Sequence, residues 1–185
     1  MKPNLTEISK SISYYLRHKP EELSITLDNQ GWVDLNEFIL KLSDKLKYQI
    51  DVDTIFKILE QSPKKRFEIG TEKNKIRALY GHSIKTIDPV YEEIKVIKPL
   101  YYGTSKDNLE LILNKGLNPQ KRLYIHLTDS KEQAILNAKR HSHDVVLLEI
   151  LADKLIKDNY KIYKGGEHIY LMKYIPNEYI KAIVV

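Results

Sequence analysis

The chain has 185 residues, 42% of them hydrophobic, and its 30 Lys and Arg against 25 Asp and Glu give a formal charge of +5. The absence of cysteine excludes disulfides, thiol catalysis and Cys-ligated zinc. No apolar run approaches the roughly 18 residues of a membrane helix, and the opening MKPNLTEISK lacks the apolar core of a signal peptide, so a cytoplasmic protein is expected. The modest positive excess permits a polyanionic partner without requiring one.

In chain order, Asn4 and Glu7 resemble a capping box, and Leu5, Ile8, Ile12, Tyr15 and Leu16 keep helical spacing up to Pro20. LDNQGWV reads as a turn into a short strand, with Gly31 at positive φ and Trp32 packing into the first lobe. Asp34 and Glu37 start a second helix carrying Leu35, Phe38, Ile39, Leu42 and Leu46. A third follows around DTIFKILEQS. RFEI and KIRALY are then two strands separated by the turn-prone GTEKNK. Helix, strand, helix, helix, hairpin is the order of a winged-helix-like unit over 1–88.

Residues 89–99, bracketed by prolines, read as a linker to a second α/β lobe over 100–185. There LYYGTS and RLYIHLT are strands, with a helix at DNLELILNKG between them that ends at Gly116. SKEQAILNAKR is a further helix. VVLLEIL is apolar throughout, as in a buried central strand, and EHIYLMKYIP and YIKAIVV complete the pattern. The chain is therefore expected to be α/β (α+β) with two lobes.

Taken singly, each candidate motif has an ordinary structural explanation. Arg17 and His18 in YYLRHKP are cations at a helix end, where the macrodipole favours them. The alternative is a phosphate-binding guanidinium beside a titratable imidazole. Arg66 opens the strand of KKRFEI. Arg122 leads into the strand that carries His126, whose neighbours Ile125 and Leu127 face the other way. YGHS ends a hairpin at Gly81, with His82 a turn residue. YYGTS ends a strand in small residues that let backbone N–H groups approach a phosphate or ribose, but it lacks the glycine spacing of a P-loop or dinucleotide fingerprint. HExxH, GxSxG and EF-hand patterns are absent, and His141 and His143 in KRHSHD read as solvent-facing, so no metal site is expected.

Together, LRHKP, LDNQGWV, KKRFEI, IRALYGHS, YYGTS, GLNPQKRLYIHL and YIP occur in the order seen in the RNA 2′-phosphotransferase family, which the chain resembles from about Leu5 to Val185. The resemblance implies an N-terminal winged-helix-like RNA lobe and a C-terminal ADP-ribosyltransferase-like lobe. It also implies NAD as a consumed co-substrate and 2′-phosphorylated RNA, tRNA above all, as partner of a monomeric enzyme. The family's catalytic Arg-His-Arg-Arg falls on Arg17, His18, Arg66 and Arg122, and its NAD pocket on Gly103, Thr104 and His126. The chain departs from the family pattern at Tyr102, where HGT becomes YGT, and at Tyr80, where QGHS becomes YGHS. Glu167-His168 stands in place of an Asn-Gly.

Arg-rich chemistry suits such a reaction. A phosphate is already an anion and needs positioning against a developing oxocarbenium centre rather than a base, and a guanidinium fork holds its oxygens as Lys cannot. A later attack by a ribose hydroxyl does need deprotonation, for which His18 has a suitable pKa as general base, or else it serves as a positioning donor. Two alternative readings stay open: ADP-ribosylation of a terminal phosphate on RNA or DNA, or a non-catalytic winged-helix nucleic-acid binder.

Overall fold

The computed structural model describes residues 4–72, 74–95 and 98–183. Position 73 of the expected turn, positions 96–97 of the expected linker and the last two residues of the expected final strand lie outside them. The chain is mixed α/β with antiparallel sheets, and it divides into two compact units, Met1–Val90 and Tyr91–Val185.

In the first unit, α1 (Leu5–Arg17) forms because Ile8, Ile12, Tyr15 and Leu16 share a face, and all four are buried. Asn4 caps it by accepting from the Thr6 N–H at 3.0 Å, one position short of the N3 contact of a capping box. The helix ends at Arg17, with His18 as C-cap, and Pro20 starts a separate 3-10 turn (Pro20–Leu23) because its ring fixes φ and removes a donor. α2 (Leu35–Leu46) starts at Asp34, which accepts from the Glu37 N–H at 2.8 Å. α3 (Val52–Gln61) starts at Asp51, which accepts from the Thr54 N–H at 2.8 Å. Each such cap contributes about 1 kcal/mol.

The strands β1 (Val33–Asp34), β2 (Phe67–Ile69) and β3 (Lys75–Ala78) make an antiparallel sheet in the order β1-β3-β2. Its inner face joins Phe38, Leu42 and Ile55 of the helices through Phe67 and Ile76 in one core. Each fully buried side chain there contributes about 1.5–3 kcal/mol. Gly31 has φ +82°, as the turn requires. Trp32 lies outside that core: it is half-buried, with the Arg77 guanidinium 4.4 Å over its ring.

The second unit has two antiparallel sheets. β5 (Leu100–Ser105), β7 (Val145–Ile150) and β10 (Ile180–Ile183) form one with β7 central. The VVLLEI run of β7 lacks alternation because it is covered on both faces: Leu148 and Ile150 join the main core, while Leu147 packs with Tyr101 and Ala134. The other sheet runs β4-β8-β9-β6, from β4 (Glu92–Ile94), β8 (Ile162–Gly166), β9 (Ile169–Met172) and β6 (Ile125–Leu127). β4 falls inside the stretch read as a linker and pairs with β8. The sheets meet where Tyr101 and Thr128 exchange both backbone hydrogen bonds, at 2.7 and 3.1 Å.

Three helices pack on these sheets: α4 (Leu109–Lys115), α5 (Lys131–Ala138) and a short α6 (Ala152–Lys157). α5 lies directly on β5 at Gly103, where a Cβ would stand 2.2 Å from the Ala134 carbonyl oxygen. Among the described residues no helix is long and apolar enough to cross a membrane.

Candidate active site

At the C-terminal end of α1 the first unit brings Arg17 and His18 together with the main chain of Arg66. Arg17 and His18 are half-buried there, and the Arg17 Nη2 donates to the Arg66 carbonyl at 3.2 Å. The same carbonyl accepts from the Leu79 N–H at 3.0 Å, so the start of β2 is tied both to the helix end and to the segment after β3. The Arg66 guanidinium is held by the Ser62 hydroxyl at 3.2 Å and the Lys64 carbonyl at 3.4 Å.

The YGHS segment backs this arrangement. Tyr80 presents its ring 4.8 Å from the Arg17 Cζ, a cation–π contact from the residue that departs from the family pattern. Gly81, at φ +91°, faces the Arg17 side chain, and a Cβ there would meet it at 3.4 Å. Ser83 closes the helix end: its N–H donates to the Arg17 carbonyl at 3.1 Å, and its hydroxyl lies 2.9 Å from His18 Nδ1. His82 is not a surface turn residue. It is 2% exposed and packs against Gly31, with neither ring nitrogen hydrogen-bonded among the described residues. Burial, followed by the positive charges of Arg17, His18 and Arg77, lowers its pKa to about 4. A neutral ring is thus wedged behind a cationic cluster.

The second unit carries Arg122 and the expected nucleotide-pocket residues. Arg122 is exposed in the bend before β6. Burial pushes the Tyr102 phenol up, with the Arg122 charge acting the other way. Gly103 and Thr104 lie on β5, Thr104 buried, and His126 is half-buried on β6. The His126 Nδ1–H donates to the Tyr124 carbonyl at 2.9 Å, an acceptor that fixes the tautomer and leaves the lone pair of the neutral ring on Nε2.

A polar network missed in the sequence lies at the end of the same sheet. Asp129 accepts from His168 Nδ1 at 2.8 Å and from the Tyr170 hydroxyl at 3.1 Å, and Lys164 donates to that hydroxyl at 3.3 Å. Burial opposes ionisation of Asp129, but these hydrogen bonds prevail and hold its carboxyl below the ordinary value. His168 sits at φ +57° in the β8–β9 turn, left-handed backbone that glycine adopts more readily. Among the described residues no group of three or more His, Cys, Asp or Glu could hold a metal ion.

The model of the RNA 2′-phosphotransferase, Tpt1/KptA family matches residues 3–174. A protein named probable RNA 2′-phosphotransferase from Thermococcus kodakarensis is 39% identical over the full length of both chains. One of the same name from Fusobacterium nucleatum is 36% identical over 96% of this chain and 98% of its own. A third, from Pyrococcus abyssi, is 38% identical over 92% of this chain and 91% of its own.

Proposed function

The chain belongs to the RNA 2′-phosphotransferase family, and from that premise we propose that it removes an internal 2′-phosphate from RNA, as at a tRNA splice junction, consuming NAD. The observation that carries this reading is the pairing of Arg17 and His18 at one helix end, tied to the main chain of Arg66 and backed by Tyr80, Gly81 and Ser83. In this reading the first unit is a winged-helix-like RNA lobe, consistent with its three helices and β1-β3-β2 sheet. The second is an ADP-ribosyltransferase-like NAD lobe, and the protein works as a cytoplasmic monomer.

The chemistry has two steps. In the first, a 2′-phosphate oxygen forms a bond to the nicotinamide-bearing ribose carbon of NAD. The glycosidic C–N bond breaks, and nicotinamide departs neutral with the electron pair. Arg17 and Arg66 grip and orient the phosphate, each with a planar fork matched to its oxygens. No base is needed.

In the second step the 2″-hydroxyl of the transferred ADP-ribose attacks phosphorus. His18 takes its proton, Arg122 stabilises the charge on the phosphate oxygens, and the RNA 2′-oxygen leaves and is protonated. The products are RNA with a 2′-hydroxyl and ADP-ribose 1″,2″-cyclic phosphate. NAD is a substrate here, and the second unit offers it polar groups of suitable kind: the exposed Arg122 guanidinium for its phosphates, with the Thr104 hydroxyl on β5 and the His126 ring on β6 beside them in the proposed set. Gly103 completes that set on β5.

The test is to incubate the protein with NAD and an oligonucleotide carrying an internal 2′-phosphate. RNA with a 2′-hydroxyl should appear together with ADP-ribose cyclic phosphate. Neither product at any NAD concentration sinks the proposal. A stable ADP-ribosyl adduct formed only on terminally phosphorylated oligonucleotides replaces it with terminal-phosphate modification.

A further inference from the structure

We infer that Ser83 is a positioning residue that fixes the tautomer of His18 and makes that ring a base rather than a hydrogen-bond donor. The inference rests on the two-step reading above and assigns one more residue to it. It begins with geometry: the Ser83 hydroxyl lies 2.9 Å from His18 Nδ1, and the Ser83 N–H donates to the Arg17 carbonyl at 3.1 Å. The main chain that carries the hydroxyl is therefore held against the helix end. Its backbone is fastened to the helix end that carries the imidazole, and His18 is fastened to the same helix through its own N–H to the Tyr14 carbonyl at 2.9 Å.

A neutral imidazole has one N–H, and the partner at one nitrogen decides which nitrogen holds it. A hydroxyl can satisfy Nδ1 in either sense, because it is both donor and acceptor. If Ser83 donates, the ring proton stays on Nε2 and His18 can only offer a hydrogen bond to the substrate. If Ser83 accepts, the proton sits on Nδ1 and Nε2 carries the lone pair needed to take a hydroxyl proton. A histidine side chain in water prefers its proton on Nε2, so a base acting through Nε2 needs a fixed acceptor at Nδ1. Ser83 is placed to be that acceptor, in the role a buried carboxylate plays in a hydrolase triad but without adding a negative charge beside a phosphate-binding cluster.

The Arg17 guanidinium is adjacent in sequence and shares the helix end. A hydroxyl acceptor, unlike a carboxylate, does not pull the ring back to its imidazolium form.

The experiment pairs NMR with kinetics on wild type, Ser83→Ala and Ser83→Thr. The Ala variant keeps the backbone bond to Arg17 and loses only the hydroxyl. Long-range ¹H–¹⁵N spectra, with His18 assigned through a His18→Gln variant, should place the wild-type ring proton on Nδ1. In Ser83→Ala it should move towards Nε2. In single turnover, Ser83→Ala should release nicotinamide at the wild-type rate yet resolve the phospho-ADP-ribosylated RNA about 10–100-fold more slowly. Ser83→Thr should restore both the tautomer and the second step.

A wild-type ring protonated on Nε2 overturns the inference. So does a Ser83→Ala protein with unchanged tautomer and unchanged second step, or one that loses both steps in parallel. Should wild type prove inert towards 2′-phosphorylated RNA, the function proposed above fails. The ring tautomer then still decides this assignment, Nδ1–H upholding it and Nε2–H removing it.

Discussion

Lowering the pH should destabilise the first unit through one buried ring. His82 is 2% exposed, and its pKa falls from 6.5 to about 4 through burial and then through Arg17, His18 and Arg77. The folded value lies below the unfolded one, so the stability at stake is present in full above pH 6.5. It declines as pH falls from 6.5 to about 4, where the unfolded chain binds a proton that the folded chain refuses. At about 1.4 kcal/mol per unit, the depression corresponds to a loss of about 3 kcal/mol across that window. This is a large share of the 5–15 kcal/mol typical of a domain.

The assay is urea unfolding, followed by circular dichroism, at half-unit intervals from pH 7.5 to 4. It compares wild type with His82→Asn, which keeps a polar group of smaller size but cannot titrate. The variant will be less stable at pH 7 for reasons of packing, so only the difference in slope matters. Carboxylates titrate in both proteins and cancel in that difference. Wild type should lose about 3 kcal/mol more than the variant between pH 6.5 and 4. Parallel curves would refute the reasoning, since they would mean that the ring takes up its proton in the folded state without cost.

Arg17→Ala should retain the wild-type circular dichroism spectrum while turnover of 2′-phosphorylated RNA falls by at least 10²–10³-fold, and Arg17→Lys should recover little because an ammonium cannot reproduce the fork; near-normal turnover in the Ala variant removes the assignment. Arg122→Ala should let the phospho-ADP-ribosylated RNA accumulate on a denaturing gel, whereas recovery of unreacted RNA alone would move Arg122 to the first step. Gly103→Ala should lower stability by about 3 kcal/mol or more in a thermal melt, because a Cβ 2.2 Å from the Ala134 oxygen belongs to backbone on both sides and cannot rotate away; an unchanged melting temperature would show that α5 yields at little cost.

Much of the scaffold was legible because its signals are local. Asp34 and the apolar spacing of α1 and α2 announce helices through caps and periodicity that short segments settle by themselves. Elements with weak local signals escaped. α6 has six residues, no side-chain cap and two buried positions, which is too little periodicity to detect. β8 reads IYKGG, and its glycines suggest a turn, yet a Cβ at Gly165 would stand 2.9 Å from the Leu171 side chain, so close strand packing explains the residue. β4 lies in a charged stretch between prolines and is a strand only because β8 supplies its hydrogen bonds.

The candidate site could be read as a set of residue types, not as an arrangement. Arg17, His18 and Arg66 are recognisable in their motifs, but nothing local reveals that residues 79–83 return to hold them. The burial of His82 is equally invisible, since GHS is what an exposed turn looks like. Gly103 is the sharpest case, because nothing local reveals that α5 docks directly on it. Trp32 packs within the first unit as its apolar context suggests, but as a half-buried platform for Arg77 outside the core cluster.

The contact between the two arginines of the first unit is asymmetric. Arg17 reaches the main chain of residue 66 and leaves the side chain of Arg66 to Ser62 and Lys64. Truncating Arg66 therefore keeps the anchor of Arg17 in place, and truncating Arg17 leaves the Arg66 side chain with its own partners. The two guanidiniums are genetically separable, each removable without dislodging the other. Any non-additivity between Arg17→Ala and Arg66→Ala would then originate in an anion that both of them hold.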